Sequence, residues 1–87
     1  MGVLRLSEDL TLKSFEEKYL LFNNKDGSVF ELNGMSYNIL SLCDGKNTED
    51  DIIRKVMEGF DASRDEVQKD LGGLIEALLK KNFITVS

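Results

Sequence analysis

Two hydrophobic periods divide the chain near Asn33. Before it, short apolar runs are interleaved with polar residues, the pattern of strands whose side chains point to opposite faces in turn. Leu10 to Phe15 alternates, Lys18 to Phe22 holds the apolar quartet Tyr19-Leu20-Leu21-Phe22, and Ser28 to Leu32 offers Val29, Phe30 and Leu32. The polar run Asn23-Asn24-Lys25-Asp26-Gly27 has the length and chemistry of a hairpin loop, with Gly27 or Asn24 able to take positive φ. Glu16-Glu17 reads as the turn between the first two strands.

Beyond Asn33 the spacing becomes helical. Asn33 suits the cap of a helix that buries Met35, Ile39, Leu42 and Cys43, and Asp44-Gly45 is expected to end it, because glycine accepts the left-handed backbone favoured at a helix C-terminus. Thr48 opens a second helix with Glu49, Asp50 and Asp51 in its first turn, where carboxylates meet the positive end of the helix dipole. Its apolar stripe is Ile52, Ile53, Val56, Met57 and Phe60. Ser63 followed by Glu66 is a capping box, which predicts a third helix to about Lys81 burying Val67, Leu71, Leu74, Ile75, Leu78 and Leu79. Phe83-Ile84-Thr85-Val86 reads as a short strand or an extended tail. The expected fold class is α+β: a three-stranded antiparallel sheet followed by a three-helix bundle, winged-helix-like in outline with its strands moved to the front, and one domain over residues 1–87.

Composition narrows the function. A chain of 87 residues has room for one core and none for a second lobe with a deep catalytic cleft. It contains no His, which removes the usual general base at neutral pH, the commonest metal ligand, and any Ser-His-Asp or Cys-His constellation. No catalytic residue, metal site or cofactor is expected. The single cysteine, Cys43, has apolar neighbours and no partner for a disulfide, so it reads as a buried small hydrophobe in a cytoplasmic protein. The first residues, Met1 to Leu6, are too soon interrupted by Ser7-Glu8-Asp9 to form a signal peptide, and no apolar run approaches membrane-spanning length.

Charge argues against nucleic acid. The net balance of −5 divides into −2 over residues 1–43, −3 over 44–62 and 0 over 63–87, so no segment carries the excess of Lys and Arg that a duplex binder needs. The acidic run Glu49-Asp50-Asp51 serves the helix start, since adjacent helical residues do not converge on one cation.

Two features point to a binding surface. The third strand, Ser28 to Leu32, or the first, lies at a sheet edge with unpaired backbone groups, and only Glu31 charges the third. Such an edge is either covered by Asn33 and a neighbouring helix or open to an extended peptide that adds a strand. Gly72-Gly73, in the middle of the third helix, costs roughly 0.5–1 kcal/mol per glycine relative to Ala, which calls for close approach by the first or second helix or by a ligand. Helix phase puts Gly73 beside Asp70 and Ala77, leaving a shallow trough on one flank of the apolar stripe.

The ordered set Leu32-Asn33, Ser36, Ile39-Leu40, Leu42, Asp44-Gly45, Thr48, Ile52, Val67, Asp70-Leu71, Leu78 and Phe83-Ile84 resembles the PqqD family over residues 10–86. The resemblance implies three strands followed by three helices and a non-catalytic adaptor for ribosomally made, post-translationally modified peptides. Such a domain binds the leader segment of a precursor peptide and presents the rest to a modifying enzyme, such as a radical SAM protein or a leader peptidase. It further implies that Ser28, Val29, Phe30, Glu31 and Leu32 supply backbone hydrogen bonds to the leader. Val67, Asp70, Leu71 and Leu74 would form the opposing wall, with Asp70 meeting a basic or hydroxyl group. Gly72-Gly73 departs from the bulkier residues usual in the family. The alternative classes are a winged-helix DNA-binding regulator, which salt-sensitive promoter binding would reveal, and a structural subunit of a constitutive complex, which poor solubility or dimerisation in isolation would reveal.

Overall fold

The computed structural model describes residues 2–87. Along the chain run β1 (Val3–Leu6), β2 (Leu10–Phe15), β3 (Lys18–Asn23), β4 (Val29–Leu32), α1 (Gly34–Ser41), β5 (Asp44–Thr48), α2 (Glu49–Gly59), α3 (Arg64–Lys80) and β6 (Ile84–Val86). Strands β2-β3-β4 form one antiparallel sheet in sequential order. Each helix touches the other two, so the expected sheet and helical bundle are both present.

Local chemistry explains the first sheet. Glu16 and Glu17 close the β2–β3 hairpin with φ of 49° and 65°, the mirror-image turn whose twist matches that of the strands, at a strain of roughly 1–2 kcal/mol per non-glycine residue. In the β3–β4 loop Gly27, not Asn24, takes positive φ (80°), and the Asn23 N–H donates to the Ser28 carbonyl at 2.8 Å. The Asp26 carboxylate accepts from the Ser28 N–H at 2.9 Å, and hydrogen bonding to Ser28 holds its pKa below the usual value.

A second three-stranded sheet, β5-β1-β6, was not expected. The sequence Asp44-Gly45-Lys46-Asn47-Thr48 has turn composition, yet it forms a strand because β1 lies alongside it. Leu4 of β1 is among the most buried side chains of the molecule. Helix α1 therefore ends earlier than the Asp44-Gly45 signal suggests, with Leu42 as its C-cap in ordinary right-handed backbone. Gly45 does have positive φ (83°), but inside β5, where the Arg5 guanidinium lies across it. Asn47, buried in this sheet, is satisfied: its amide donates to the Leu42 carbonyl at 3.0 Å, and its side-chain oxygen accepts from Lys55 Nζ at 2.7 Å. The C-terminal run resolves as strand β6, paired with β1.

The helix caps follow the sequence with one exchange. Asn33 accepts from the Ser36 N–H at 2.7 Å. Ser63 accepts from the Glu66 N–H at 3.2 Å, whereas the full reciprocal box forms at Thr48 and Asp51. The backbone N–H of Thr48, then its hydroxyl, holds the Asp51 carboxyl below the usual range. The core gathers Leu4, Leu10, Leu21, Ile39, Leu40, Ile52, Ile53, Val56, Val67, Leu71, Ile75, Leu78 and Ile84, together with Cys43. Leu79 and Met57, expected on the buried stripes, stand 43% and 37% exposed at their edges.

Candidate functional site

Strand β4 has β3 on one side and, among the described residues, no strand on the other. Its register pairs Leu21 with Phe30 and Tyr19 with Leu32. Because Asn23 and Ser28 form a hydrogen-bonded position, the antiparallel alternation places Leu21/Phe30 and Tyr19/Leu32 in hydrogen-bonded pairs as well. The N–H and C=O groups of Val29 and Glu31 therefore point away from β3, off the open edge.

The five residues expected along this edge thus divide. Ser28 is committed to the hairpin through both its N–H and its carbonyl. The backbones of Phe30 and Leu32 serve the β3 ladder, and their half-buried side chains pack against the core. Phe30 meets Phe83 edge-on with ring centroids 5.8 Å apart, and Lys81 Nζ sits 5.0 Å from the Phe30 centroid. Only Val29 and Glu31 offer free main-chain groups.

An open groove of about 450 Å³ lies between the first turn of α1 and the outer flank of α3, lined by Asn33, Met35, Ser36, Lys69, Asp70, Gly73, Leu74 and Ala77. Of the wall residues expected on α3, Asp70 and Leu74 line it. Val67 and Leu71, at 0% and 1% exposure, belong to the core face and do not reach it. Helix phase accounts for the difference. Positions 67, 71, 75 and 78 share the buried stripe, while 70, 73, 74 and 77 follow the adjoining one. The residues that sequence reasoning missed are Asn33, Met35 and Ser36 at the start of α1, and Lys69. The signal for the first three was their position just after the edge strand, and for Lys69 its place beside Asp70.

The trough expected at Gly73 is present, but no other helix approaches it. A Cβ built on Gly72 or on Gly73 would meet nothing within 4 Å, so the chain's own packing does not require either glycine. Gly73 leaves the α3 backbone bare at the groove floor. Lys69 and Asp70 form no ion pair among the described residues, whose bridges are Arg54–Asp51, Arg64–Asp50 and Lys80–Glu76. With one cation and one anion side by side, the groove carries little net charge. A separate hollow of about 300 Å³ adjoins the other sheet at Leu4, Thr48, Glu49 and Val86, away from β4.

The groove and edge supply main-chain donors and acceptors, apolar surface and a Lys-Asp pair, which is equipment for holding an extended chain. Cys43 is 4% exposed, and burial, aided by the Asp44 carboxylate, pushes its thiol up to about 11, so it is no nucleophile near neutral pH. No group of three His, Cys, Asp or Glu among the described residues could hold a metal ion. No helix among them is long and apolar enough to cross a membrane.

Comparison with known proteins identifies the family and the fold. Residues 18–84 match the family model described as coenzyme PQQ synthesis protein D, and the chain belongs to the PqqD family. Its fold is shared with a structure of TbiB1 in complex with the TbiA(beta) leader peptide (TM-score 0.75, 20% identity, covering 92% of this chain and 93% of that one). It is shared also with a lasso peptide synthetase B1 complexed with the leader peptide (TM-score 0.73, 17% identity, 93% and 94% coverage). The heterocyclase TruD contains the same fold within a larger chain (TM-score 0.67, 17% identity), the match covering 100% of this chain and 12% of that one. No curated protein matches the chain significantly.

Proposed function

We propose that this protein is a non-catalytic adaptor that binds the leader segment of a ribosomally synthesised precursor peptide and delivers the precursor to a modifying enzyme. The observation that carries this reading is the open β4 edge beside the groove between α1 and α3. The leader adds as a strand, its main chain pairing with Val29 and Glu31 while alternate side chains drop toward Gly73, Leu74 and Met35. Asp70 and Lys69 meet polar groups of the leader from the α3 wall of the groove.

Membership of the PqqD family supports the reading, as do two structures of the same fold recorded with leader peptides. The modifying enzyme belongs to the class that acts on such precursors, with a radical SAM protein or a leader peptidase as the candidates. A DNA-binding role gains nothing from α3, where Lys69 and Lys80 stand beside Asp70 and Glu76.

The test is titration of isotopically labelled protein with the leader of the precursor encoded beside it. Amide signals of Val29, Glu31 and the Asp70–Ala77 face of α3 should shift at tens of micromolar peptide. If none of them responds, the reading is wrong.

A further inference from the structure

The two ends of the groove beside β4 differ in charge. Asp70, Gly73 and Leu74 of α3 face Asn33 and Met35, which follow Leu32, the last residue of β4. At the other end of the helix its C-cap, Lys81, reaches Phe30. Helix and strand therefore run in opposite directions along one channel. From Asp70 to Lys81 the helix rises roughly 16 Å, the length of about five residues of extended chain. Exposed Lys81 has its Nζ 5.0 Å from the Phe30 ring centroid and 5.8 Å from that of Phe83, the two rings themselves meeting edge-on.

Lys81 forms no ion pair among the described residues, whereas Lys80 lies 3.7 Å from Glu76. Either lysine suits the C-terminal end of α3, where unpaired carbonyls carry partial negative charge, but only Lys81 is drawn onto the rings beside β4. A hollow of about 190 Å³ next to it adds Lys25 and Asp9. Glu31 does not offset these charges, because strand alternation sends its side chain to the face opposite Phe30. The Phe30 end thus holds two cations against one anion in a chain of net charge −5, while the other end has Lys69 beside Asp70.

A strand added to β4 pairs its main chain with Val29 and Glu31, and its residue beside Phe30 turns toward α3 as Phe30 does. That side chain meets Lys81. The next residue on the same face, two along, lies beside Leu32, where Asn33 and Met35 open onto the trough at Gly73. Resting on the reading of this site as a leader groove, we infer that the leader carries Asp or Glu beside Phe30, held by Lys81, and an apolar residue two positions along in the trough. Lys81 is then a specificity-determining residue. Its contacts with the two rings hold the ammonium in place before the leader arrives. One exposed ion pair adds little affinity and only a shallow salt dependence, so its effect is on register. A slip of one residue turns the acid to the outer face beside Glu31, and a slip of two sets it against the apolar trough.

The test is a double-mutant cycle by fluorescence anisotropy. The probes are a synthetic leader of the precursor encoded beside this protein and versions of it with each Asp changed singly to Asn and each Glu to Gln. Lys81→Met keeps the apolar stem and should weaken the unmodified leader about two- to fivefold, Lys81→Glu about tenfold, and Lys81→Arg and Lys80→Met not at all. One leader carboxylate should show the same two- to fivefold loss when neutralised, and no further loss in Lys81→Met. Exchanging that acid with the residue two positions along should cost at least tenfold. Equal thermal midpoints would show the variants folded. Wild-type affinity in Lys81→Met, an equal loss in Lys80→Met, a leader without a carboxylate coupled to Lys81, or a harmless exchange would each overturn the inference. In those cases amide shifts at Val29, Glu31 and Asp70–Ala77 would leave strand addition standing. A leader that shifts none of these amides would remove the adaptor reading as well.

Discussion

Gly72 and Gly73 separate folding from binding at adjacent positions. Each is exposed in the interior of α3, and an added Cβ meets no atom within 4 Å at either site. Alanine at either position should therefore stabilise the fold by roughly 0.5–1 kcal/mol through helix propensity. For a domain of this size that raises the thermal midpoint by about 2–8 °C. Only Gly73 lines the groove. Gly73→Leu would keep the propensity gain but project a branched side chain into the space the leader needs, and should weaken leader binding at least tenfold, or about 1.4 kcal/mol. Gly72→Leu should leave it unchanged. Calorimetric unfolding and fluorescence anisotropy with a labelled leader read the two quantities separately. Wild-type affinity in Gly73→Leu, or an equal loss in Gly72→Leu, would refute the placement of the peptide against α3.

Four further outcomes follow from the same geometry. Glu31→Pro removes an N–H that points off the β4 edge and breaks no bond to β3, so leader affinity should fall at least tenfold in anisotropy titrations, whereas Phe30→Pro removes a ladder donor and should unfold the sheet by circular dichroism. Thr48→Ala deletes one half of the α2 capping box and should cost about 1 kcal/mol in urea unfolding. Cys43 stays protonated in the folded state to about 11, while the unfolded thiol ionises near its ordinary value of 9.0; the unfolded state therefore binds fewer protons, and stability should decline between those values. That decline should vanish in Cys43→Ala, and alkylation of the native thiol should be slow at neutral pH. Leader affinity should vary little with salt, because the groove holds Lys69 beside Asp70 and recognition rests on main-chain pairing; a steep salt slope would contradict this.

The first sheet and all three helices were legible because their signals are local. Alternation, a polar five-residue loop and the caps at Asn33, Thr48 and Ser63 each act over a few neighbouring residues. The second sheet was not, because its pairings join distant segments. Nothing local marks Asp44–Thr48 as a strand, and β1 is only Val3–Leu6. The edge role of β4 and the trough beside Gly73 could be read from order and helix phase. Assigning Val67 and Leu71 to the groove failed because a wall and a core stripe lie within one turn of the same helix, and only packing against α2 and α1 decides between them.

The division into two sheets has a kinetic meaning. The β2-β3-β4 meander is built from neighbours in sequence and closes through short loops, so it belongs to the early, fast part of folding. The β5-β1-β6 sheet pairs Leu4 with Val86, across nearly the whole chain, and must wait for α1, α2 and α3 to bring its strands together. It acts as a clasp fastened last, and in hydrogen exchange it should open without exposing the β3–β4 ladder. The edge proposed to meet the peptide would thus be carried by a unit that forms before the clasp and outlasts its opening.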